Sequence, residues 1–405
     1  MTLESNHRDI RESVARLCAG FPGEYWRRLD RARAYPQEFV DALTAAGFLA
    51  ALIPDRYGGA GLPISAAAAI LEEIHRAGCN AAACHAQMYT MGTLLRHGSA
   101  AQKQKYLPGI AAGRLRLQAF GVTEPGSGSD TTSLRTAARR DGGRYLVNGQ
   151  KVWTSRAEHS DLMLLLCRTT PREKVAKKTD GLSVLLVDLR DAPAKNLTIK
   201  PLRTMMNHAS TEVFFDDLAV PAENLIGDEG RGFGYILSGL NAERILIAAE
   251  CIGDAKWFIG KAVDYAGRRR VFGRPIGQNQ GVQFPIARAY ADMRAAELML
   301  REAARRYEMD ECDGRDNGGG RHRESGRGYN HAPGEESNLA KLLAADASWA
   351  AAEACMETHG GFGFAEEFDL ERKYREARLY RTAPVSTNMI LSYIAEHALR
   401  LPRSY

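Results

Sequence analysis

The sequence predicts an α+β chain of three successive domains: an N-terminal helical domain over residues 1–118, a middle β-domain of barrel or sandwich type over 119–228, and a C-terminal four-helix bundle over 229–405. Three observations predict it. Ala-rich amphipathic stretches such as ISAAAAILEEIHRA dominate the first part, with few strand signals. From 119 the pattern shortens to the β-type runs DLMLLLC, LSVLLVDL, LTIKPL and TEVFFDDL. After Gly232 long helical patterns return at 234–266, 280–309, 338–358 and 385–399, enough for a bundle.

Within the first domain the apolar positions recur at helical spacing, which is what a set of packed amphipathic helices requires. The middle domain opens on an apolar strand, Leu115 to Val122, that runs into Thr123-Glu124-Pro125-Gly126-Ser127-Gly128-Ser129-Asp130. Pro125 ends the strand. Gly126 and Gly128 are expected to take backbone angles closed to other residues and to let a ligand approach, while Thr123 and Ser129 offer hydroxyls to ring carbonyls or phosphate oxygens. A Gly/Ser-rich loop is by itself more often only a turn, and this one has neither GxGxxG spacing nor a P-loop lysine. Downstream, Tyr145 and Val147 alternate into Asn148-Gly149, which predicts a two-residue hairpin turn with a return strand carrying Val152, Trp153, Thr154 and Ser155. In the last domain, Asp313 to Glu336 is too polar and Gly-rich to pack and is read as a flexible loop between two bundle helices.

Composition excludes several classes. Lys and Arg number 54 against 49 Asp and Glu, a net charge of +5 without a basic run interleaved with aromatics, so a nucleic-acid partner is not expected. The seven cysteines are scattered without a CxxC pair, which predicts neither a zinc site nor a disulfide framework. His322 and His331 lack a third ligand, so no metal is expected. The start MTLESNHRDIRESV contains Glu4, Asp9 and Glu12 and no apolar centre, so it reads as neither a secretory signal nor a transit peptide, and no apolar run approaches membrane-spanning length. A cytoplasmic protein is the expectation.

T-E-P-x-x-G-S-D followed by N-G-x-K-x-W-x-S resembles the acyl-CoA dehydrogenase family, flavoenzymes that oxidise acyl-CoA thioesters to enoyl-CoA. The resemblance continues in family order through PAENLIGDEGRGF, RRRVFGRPIGQNQGVQ, HGGFGF and YREARLYR. It implies FAD as cofactor, held by Phe120, Val122, Thr123, Gly128 and Ser129, with Trp153 over the flavin edge and Ser155 at its reactive nitrogen. Ser129 would also reach the CoA arm. Arg269, Phe272 and Gln280 match residues that contact the FAD of a neighbouring subunit; Gly360 and Gly361 match a glycine pair near the adenosine half, where Glu357 stands in place of a Gln. Ser386 and Asn388 match contacts near the adenine end. These crossings imply a homotetramer built from dimers, and the family's electron acceptor is an electron-transfer flavoprotein.

Oxidation across Cα and Cβ needs a base for the α-proton, a hydride acceptor facing Cβ and donors for the enolate oxygen. The base most relatives carry just after the segment matching Tyr380 is missing here: an ungapped match places Pro384 there. Leu240-Asn241-Ala242-Glu243-Arg244 matches the L-D-x-E-R-like sequence that supplies the base in isovaleryl-CoA and long-chain relatives. Helix geometry points to the same residue, since Ile236, Leu240, Glu243 and Ile247 form one apolar stripe with no cation three or four residues from the carboxylate. Glu243 is therefore the expected base, with Asn241 and Arg244 at the substrate, which is expected to be a branched, medium or long acyl-CoA. Proline has no N–H, so the thioester oxygen is held either by Val385 or by another donor. Two further readings stay open: a flavin monooxygenase or oxidase on the same fold, for which His208 and His359 are the residues to test, and a flavin-binding relative without catalysis.

Overall fold

The computed structural model describes residues 7–316 and 334–403, and side chains are described outside 311–316. Its helices are α1 Arg8–Ala19, α2 Gly23–Ala32, α3 Gln37–Ala45, α4 Ile64–Arg76, α5 Ala82–His97, α6 Ala100–Ala111, α7 Gly232–Arg268, α8 Gln280–Asp316, α9 Gly334–His359, α10 Leu370–Ala377 and α11 Thr387–Tyr393. The strands are β1 Leu117–Gly121, β2 Ala137–Asp141, β3 Arg144–Ser155, β4 Leu162–Arg168, β5 Leu182–Asp188, β6 Leu197–Pro201, β7 Ser210–Pro221 and β8 Leu225–Ile226, with a short pair β9 Arg270–Val271 and β10 Arg274–Pro275. The contacts divide this chain into two compact units. One contains residues 33–62 and 82–240, the other 1–32, 63–81 and 241–405, so the division falls within α7.

In the unit that holds the sheet, strands run in the order β6-β7-β3-β2-β4-β5-β8, with β1 joined parallel to β4. β4 explains why its sequence, LMLLLCR, does not alternate. Leu162, Leu164 and Leu166 enter one apolar cluster with Met91, Leu94 and Leu107, whereas Met163, Leu165 and Cys167 enter another with Tyr145, Val147 and Val213. A strand buried on both faces needs apolar residues at every position.

The predicted hairpin at Asn148-Gly149 is not a turn. Both residues lie inside β3, and the chain reverses instead at Gly142-Gly143, where Asp141 pairs with Arg144. Gly149 has φ 144°, sits where the β3–β7 register slips, and leaves no room for a side chain: a Cβ there would lie 2.6 Å from Thr136 Oγ1. The glycine is needed for a bulge and a close approach rather than a reversal.

The other unit is held by helix packing and buried charge. α8 packs along α9, and α4 packs on α1 and α8. Alanines 340, 344, 347, 351 and 354 of α9 are buried, which lets the helices approach closely. Lys256 bridges Glu72 at 2.6 Å and Glu297 at 2.9 Å, and Arg11 reaches Glu72 at 2.8 Å. The loop expected at 313–336 is trimmed at both ends, because α8 continues to Asp316 and α9 begins at Gly334; residues 317–333, including His322 and His331, lie outside the described residues.

Candidate active site

The 123–130 loop is organised by a buried ion pair. Lys151, on β3 and 0% exposed, donates from Nζ to the Val122 carbonyl at 2.9 Å and to Glu124 Oε1 at 2.9 Å. Glu124 also accepts from the Arg135 N–H at 2.7 Å and the Thr136 N–H at 2.8 Å, and the Val152 N–H donates to Thr123 at 2.9 Å. The two sequence motifs are thus tied together by Glu124 of the first and Lys151 of the second. The partners are shifted unequally. For Glu124, burial alone would raise the carboxyl pKa, but Lys151 and the N–H donors outweigh it and hold it below the usual range. For Lys151, burial outweighs Glu124, so the ammonium is also held below its usual value. The carboxylate has three donors and the ammonium two acceptors, which is why the pair fixes geometry at little net gain in stability.

Beyond Lys151 the chain presents Trp153. Its ring is 59% exposed and its φ is 61°, a left-handed conformation that is costly for an aromatic residue and coincides with the second slip in the β3–β7 register. Ser155 pairs with Ser210 at the end of the strand. Phe120 is partly buried and meets the Tyr89 ring edge-on at 5.9 Å. Gly128 and Ser129 are exposed. Gly126 and Gly128 do not have the expected positive φ, and a Cβ on either would meet nothing within 4 Å. No described residue requires glycine at either position, and both lie exposed with open space beside them. Arg156 follows, buried with φ 58°, its guanidinium 3.4 Å from His208 Nδ1. Burial, and then the Arg156 charge, hold the His208 ring well below the usual histidine range, so it is neutral at pH 7.

In the other unit, α7 carries Asn241, Glu243 and Arg244, each 8% exposed. Arg244 Nη1 donates to Asn241 Oδ1 at 2.8 Å, and burial lowers the guanidinium pKa to about 10 although Glu243 works in the opposite direction. The segment after Tyr380 contains a cis Ala383-Pro384 bond. The next residue, Val385, is held by its carbonyl, which accepts from Lys341 Nζ at 2.7 Å. Lys341 was not singled out from the sequence. Its signal is a lysine whose i±3 and i±4 neighbours, Asn338, Ala344, Ser337 and Ala345, are all small and uncharged. Ser386 accepts from the Met389 N–H and so caps α11, while Asn388 is exposed.

A separate open cleft of ≈ 690 Å³ in the same unit is lined by Tyr265, Arg269, Glu357, His359, Gly360 and Phe362 among others. Gly361 lines it too, and Gly360 has φ 56° with no neighbour within 4 Å of a Cβ. Arg269 lies over the Phe362 ring at 5.8 Å, so Glu357 has a guanidinium on its own cleft wall. His359 donates from Nδ1 to the Cys355 carbonyl at 2.8 Å and stacks on Tyr265 at 4.1 Å, occupied in packing. Phe272 is fully exposed with φ 52°, and Gln280 is exposed at the start of α8; neither lines this cleft.

The chain matches the N-terminal, middle and C-terminal domains of acyl-CoA dehydrogenases over residues 4–114, 119–218 and 230–399. It belongs to the acyl-CoA dehydrogenase family. The acyl-CoA dehydrogenase FadE12 of Mycobacterium tuberculosis is 32% identical over 405 residues, covering 100% of this chain and 98% of its own. The glutaryl-CoA dehydrogenase of Desulfococcus multivorans is 30% identical over 401 residues, or 97% and 95% of the two chains. Among solved structures, a glutaryl-CoA dehydrogenase in complex with glutaryl-CoA superposes with a TM-score of 0.86 at 28% identity, covering 100% and 98%. The acyl-CoA dehydrogenase of Geobacillus kaustophilus gives 0.84 at 26%, covering 97% and 98%.

Family membership makes the chain an oxidoreductase that acts on the CH–CH group of acyl-CoA thioesters, with FAD as cofactor. The acyl-CoA dehydrogenase loop fits that cofactor, with its fixed Val122 carbonyl, unfilled space beside Gly126 and Gly128, and exposed Trp153 in a strained conformation. No helix among the described residues is long and apolar enough to cross a membrane.

Proposed function

We propose that this enzyme converts a branched, medium or long acyl-CoA to its trans-2-enoyl-CoA, with Glu243 as the base, and passes the electrons to an electron-transfer flavoprotein. The observation that carries it is a buried carboxylate on α7 combined with Pro384 after Tyr380, where no side chain can take a proton. FAD, when bound, supplies the hydride acceptor for the Cβ hydrogen. Glu243 takes the α-proton onto its carboxylate, so that the Cα–H and Cβ–H bonds are exchanged for a carbon–carbon double bond. Val122 and Thr123 would hold the flavin ring through backbone and hydroxyl, with Trp153 at its edge and Ser155 as the candidate partner of its reactive nitrogen. Asn241, held by Arg244, and Ser129 contact the CoA ester. Because Pro384 lacks an N–H, the Val385 N–H is the candidate donor to the thioester oxygen. Arg269, Phe272 and Gln280 serve a neighbouring subunit's FAD in a homotetramer, and Glu357, Gly360, Gly361, Ser386 and Asn388 the adenosine half.

The test is anaerobic mixing with straight-chain, branched and isoprenoid acyl-CoAs, following flavin absorbance. One class should bleach the flavin and yield the enoyl product, and Glu243→Gln should retain yellow FAD yet lose at least about 100-fold in reduction rate. Reduction of Glu243→Gln at the parental rate would remove Glu243 from the mechanism.

A further inference from the structure

We propose that Arg244, with Asn241, receives a carboxylate carried by the acyl group, so that the substrate is an acyl-CoA whose acyl chain bears a second, free carboxylate. This names the substrate class of the reaction proposed above and rests on Glu243, the preceding residue, marking where the α-carbon lies.

Other arginines packed into this unit are matched with acids. Arg372 bonds Asp369 and Glu376, each at 2.8 Å, Arg11 reaches Glu72 at 2.8 Å, and Arg375 reaches Asp30 and Glu371, each at 2.7 Å. Arg244 is only 8% exposed, yet among the described residues it makes no ion pair, and its hydrogen bond goes to the neutral Asn241 Oδ1. Its Nε is out of contact with solvent and has no hydrogen-bond partner. Asn241 takes Nη1, so the edge that remains is Nε with Nη2, the two parallel N–H bonds that grip a carboxylate. A guanidinium held out of water without an anion costs free energy, and an anion supplied by a ligand recovers it. Burial opposes the charge on all four arginines; acids outweigh it at Arg11, Arg372 and Arg375, whose pKa is raised, whereas that of Arg244 is lowered.

The surroundings of that edge are donors. Asn241 turns its carbonyl oxygen to Arg244 and so keeps its amide N–H groups for another acceptor. The Tyr393 hydroxyl of α11 and Asn241 Oδ1 lie 3.2 and 4.0 Å from where a Cβ on Gly334 would stand, so the missing side chain leaves space beside both. The acids at the start of α9 do not match the guanidinium: Glu336 is paired with Arg306 at 3.2 Å, and Glu335 is exposed. A group that only accepts hydrogen bonds fits such a set, and an ionised carboxylate is one. A phosphate is another, but the phosphates of CoA are separated from the thioester by the whole pantetheine arm. Arg244 is one peptide, about 3.8 Å between Cα atoms, from Glu243, which assigns the anion to the acyl part.

The experiment follows anaerobic flavin reduction by matched pairs of thioesters, hexanoyl-CoA with adipoyl-CoA and octanoyl-CoA with suberoyl-CoA, and by the same acyl groups on pantetheine, which carries no phosphate. The FAD-loaded parent should prefer the carboxylated member of a pair by at least about tenfold in kcat/KM, and the preference should persist on pantetheine. Arg244→Met removes the cation, and Asn241→Asp gives Arg244 a carboxylate of its own; in each the preference should fall to about one or reverse. Neither variant should denature earlier than the parent, and Asn241→Asp should denature later, because each removes an unmatched buried charge. A parent that reduces as well with the neutral member would overturn the inference, and so would folded variants that keep the parental preference. A preference lost on pantetheine would assign the cation to the CoA phosphates, and failure of both variants to fold would make the pair structural; either result overturns it too. Glu243→Gln run alongside separates the levels: parental reduction there removes the base and the placement drawn from it, whereas lost reduction there with no preference in the parent removes only the carboxylate site.

Discussion

The buried pair between Glu124 and Lys151 gives the most exacting prediction. Removing one partner of such a pair typically costs about 3–5 kcal/mol. Lys151→Met deletes the ammonium and releases the Val122 carbonyl, but the Glu124 carboxylate keeps its two N–H donors from Arg135 and Thr136, which places the cost near the low end, about 3 kcal/mol. Glu124→Gln leaves the ammonium facing two neutral acceptors at a position with no solvent contact, and because burial already disfavours that charge, the cost is about 3 kcal/mol or somewhat more. In the double variant no charge is left unpaired, so the two costs should not add, and a coupling of about 2 kcal/mol is expected. Urea titration followed by intrinsic fluorescence gives the cycle, and FAD per chain after gel filtration reports whether the loop still holds the cofactor. Both single variants should lose FAD more readily than the parent, and the double variant should cost about 4 kcal/mol rather than the about 6 kcal/mol of additive losses, without regaining FAD. Additive costs together with parental FAD content would refute the idea that this pair shapes the 123–130 loop.

Three more outcomes are expected. Gly149→Ala should destabilise by about 2–4 kcal/mol, because the new Cβ would press on Thr136 at a φ that alanine rarely adopts; a loss below about 1 kcal/mol in a denaturation series would contradict the close approach. Arg269→Ala should lower FAD retention and tetramer content together, read by gel filtration with flavin absorbance, and a fully loaded tetramer would count against a cross-subunit role. Stability should fall with acid in a defined direction. Glu72, Glu124 and Asp254 are buried, which alone would raise their pKa, but Lys256, Lys151 and Lys373 respectively outweigh burial and hold them below the usual carboxyl range. Their contribution is present above about pH 4 and is lost as pH falls through the depressed folded values. A denaturation midpoint indifferent to pH below about 4 would show that these pairs contribute nothing.

Much of the fold was legible because it rests on periodicity. The runs DLMLLLC, LSVLLVDL, LTIKPL and TEVFFDDL became β4, β5, β6 and β7, and the long apolar patterns after Gly232 became α7, α8 and α9. Asn148-Gly149 was misread because a dipeptide states a conformational preference and says nothing of what lies beside it. Thr136 packs against Gly149, and Asp141 to Arg144 supply the reversal. The glycines of the 123–130 loop were misread for the related reason that glycine marks either an unusual φ or missing bulk, and only coordinates distinguish them.

The sequence alone determined the family, through several motifs in a fixed order, and it placed no Asp or Glu between Tyr380 and Glu396. It also determined the apolar stripe around Glu243, since helical spacing is a property of the chain itself. Tertiary structure decided what bears on those residues. Lys341 comes to Val385, and Lys151 to Val122 and Glu124, across 44 and 29 or 27 residues of chain. The physical reason is that an ammonium takes its meaning from its surroundings: the same side chain is a surface charge in water and a strong, directional influence on a neighbouring carboxylate or carbonyl once folding has removed the water around it.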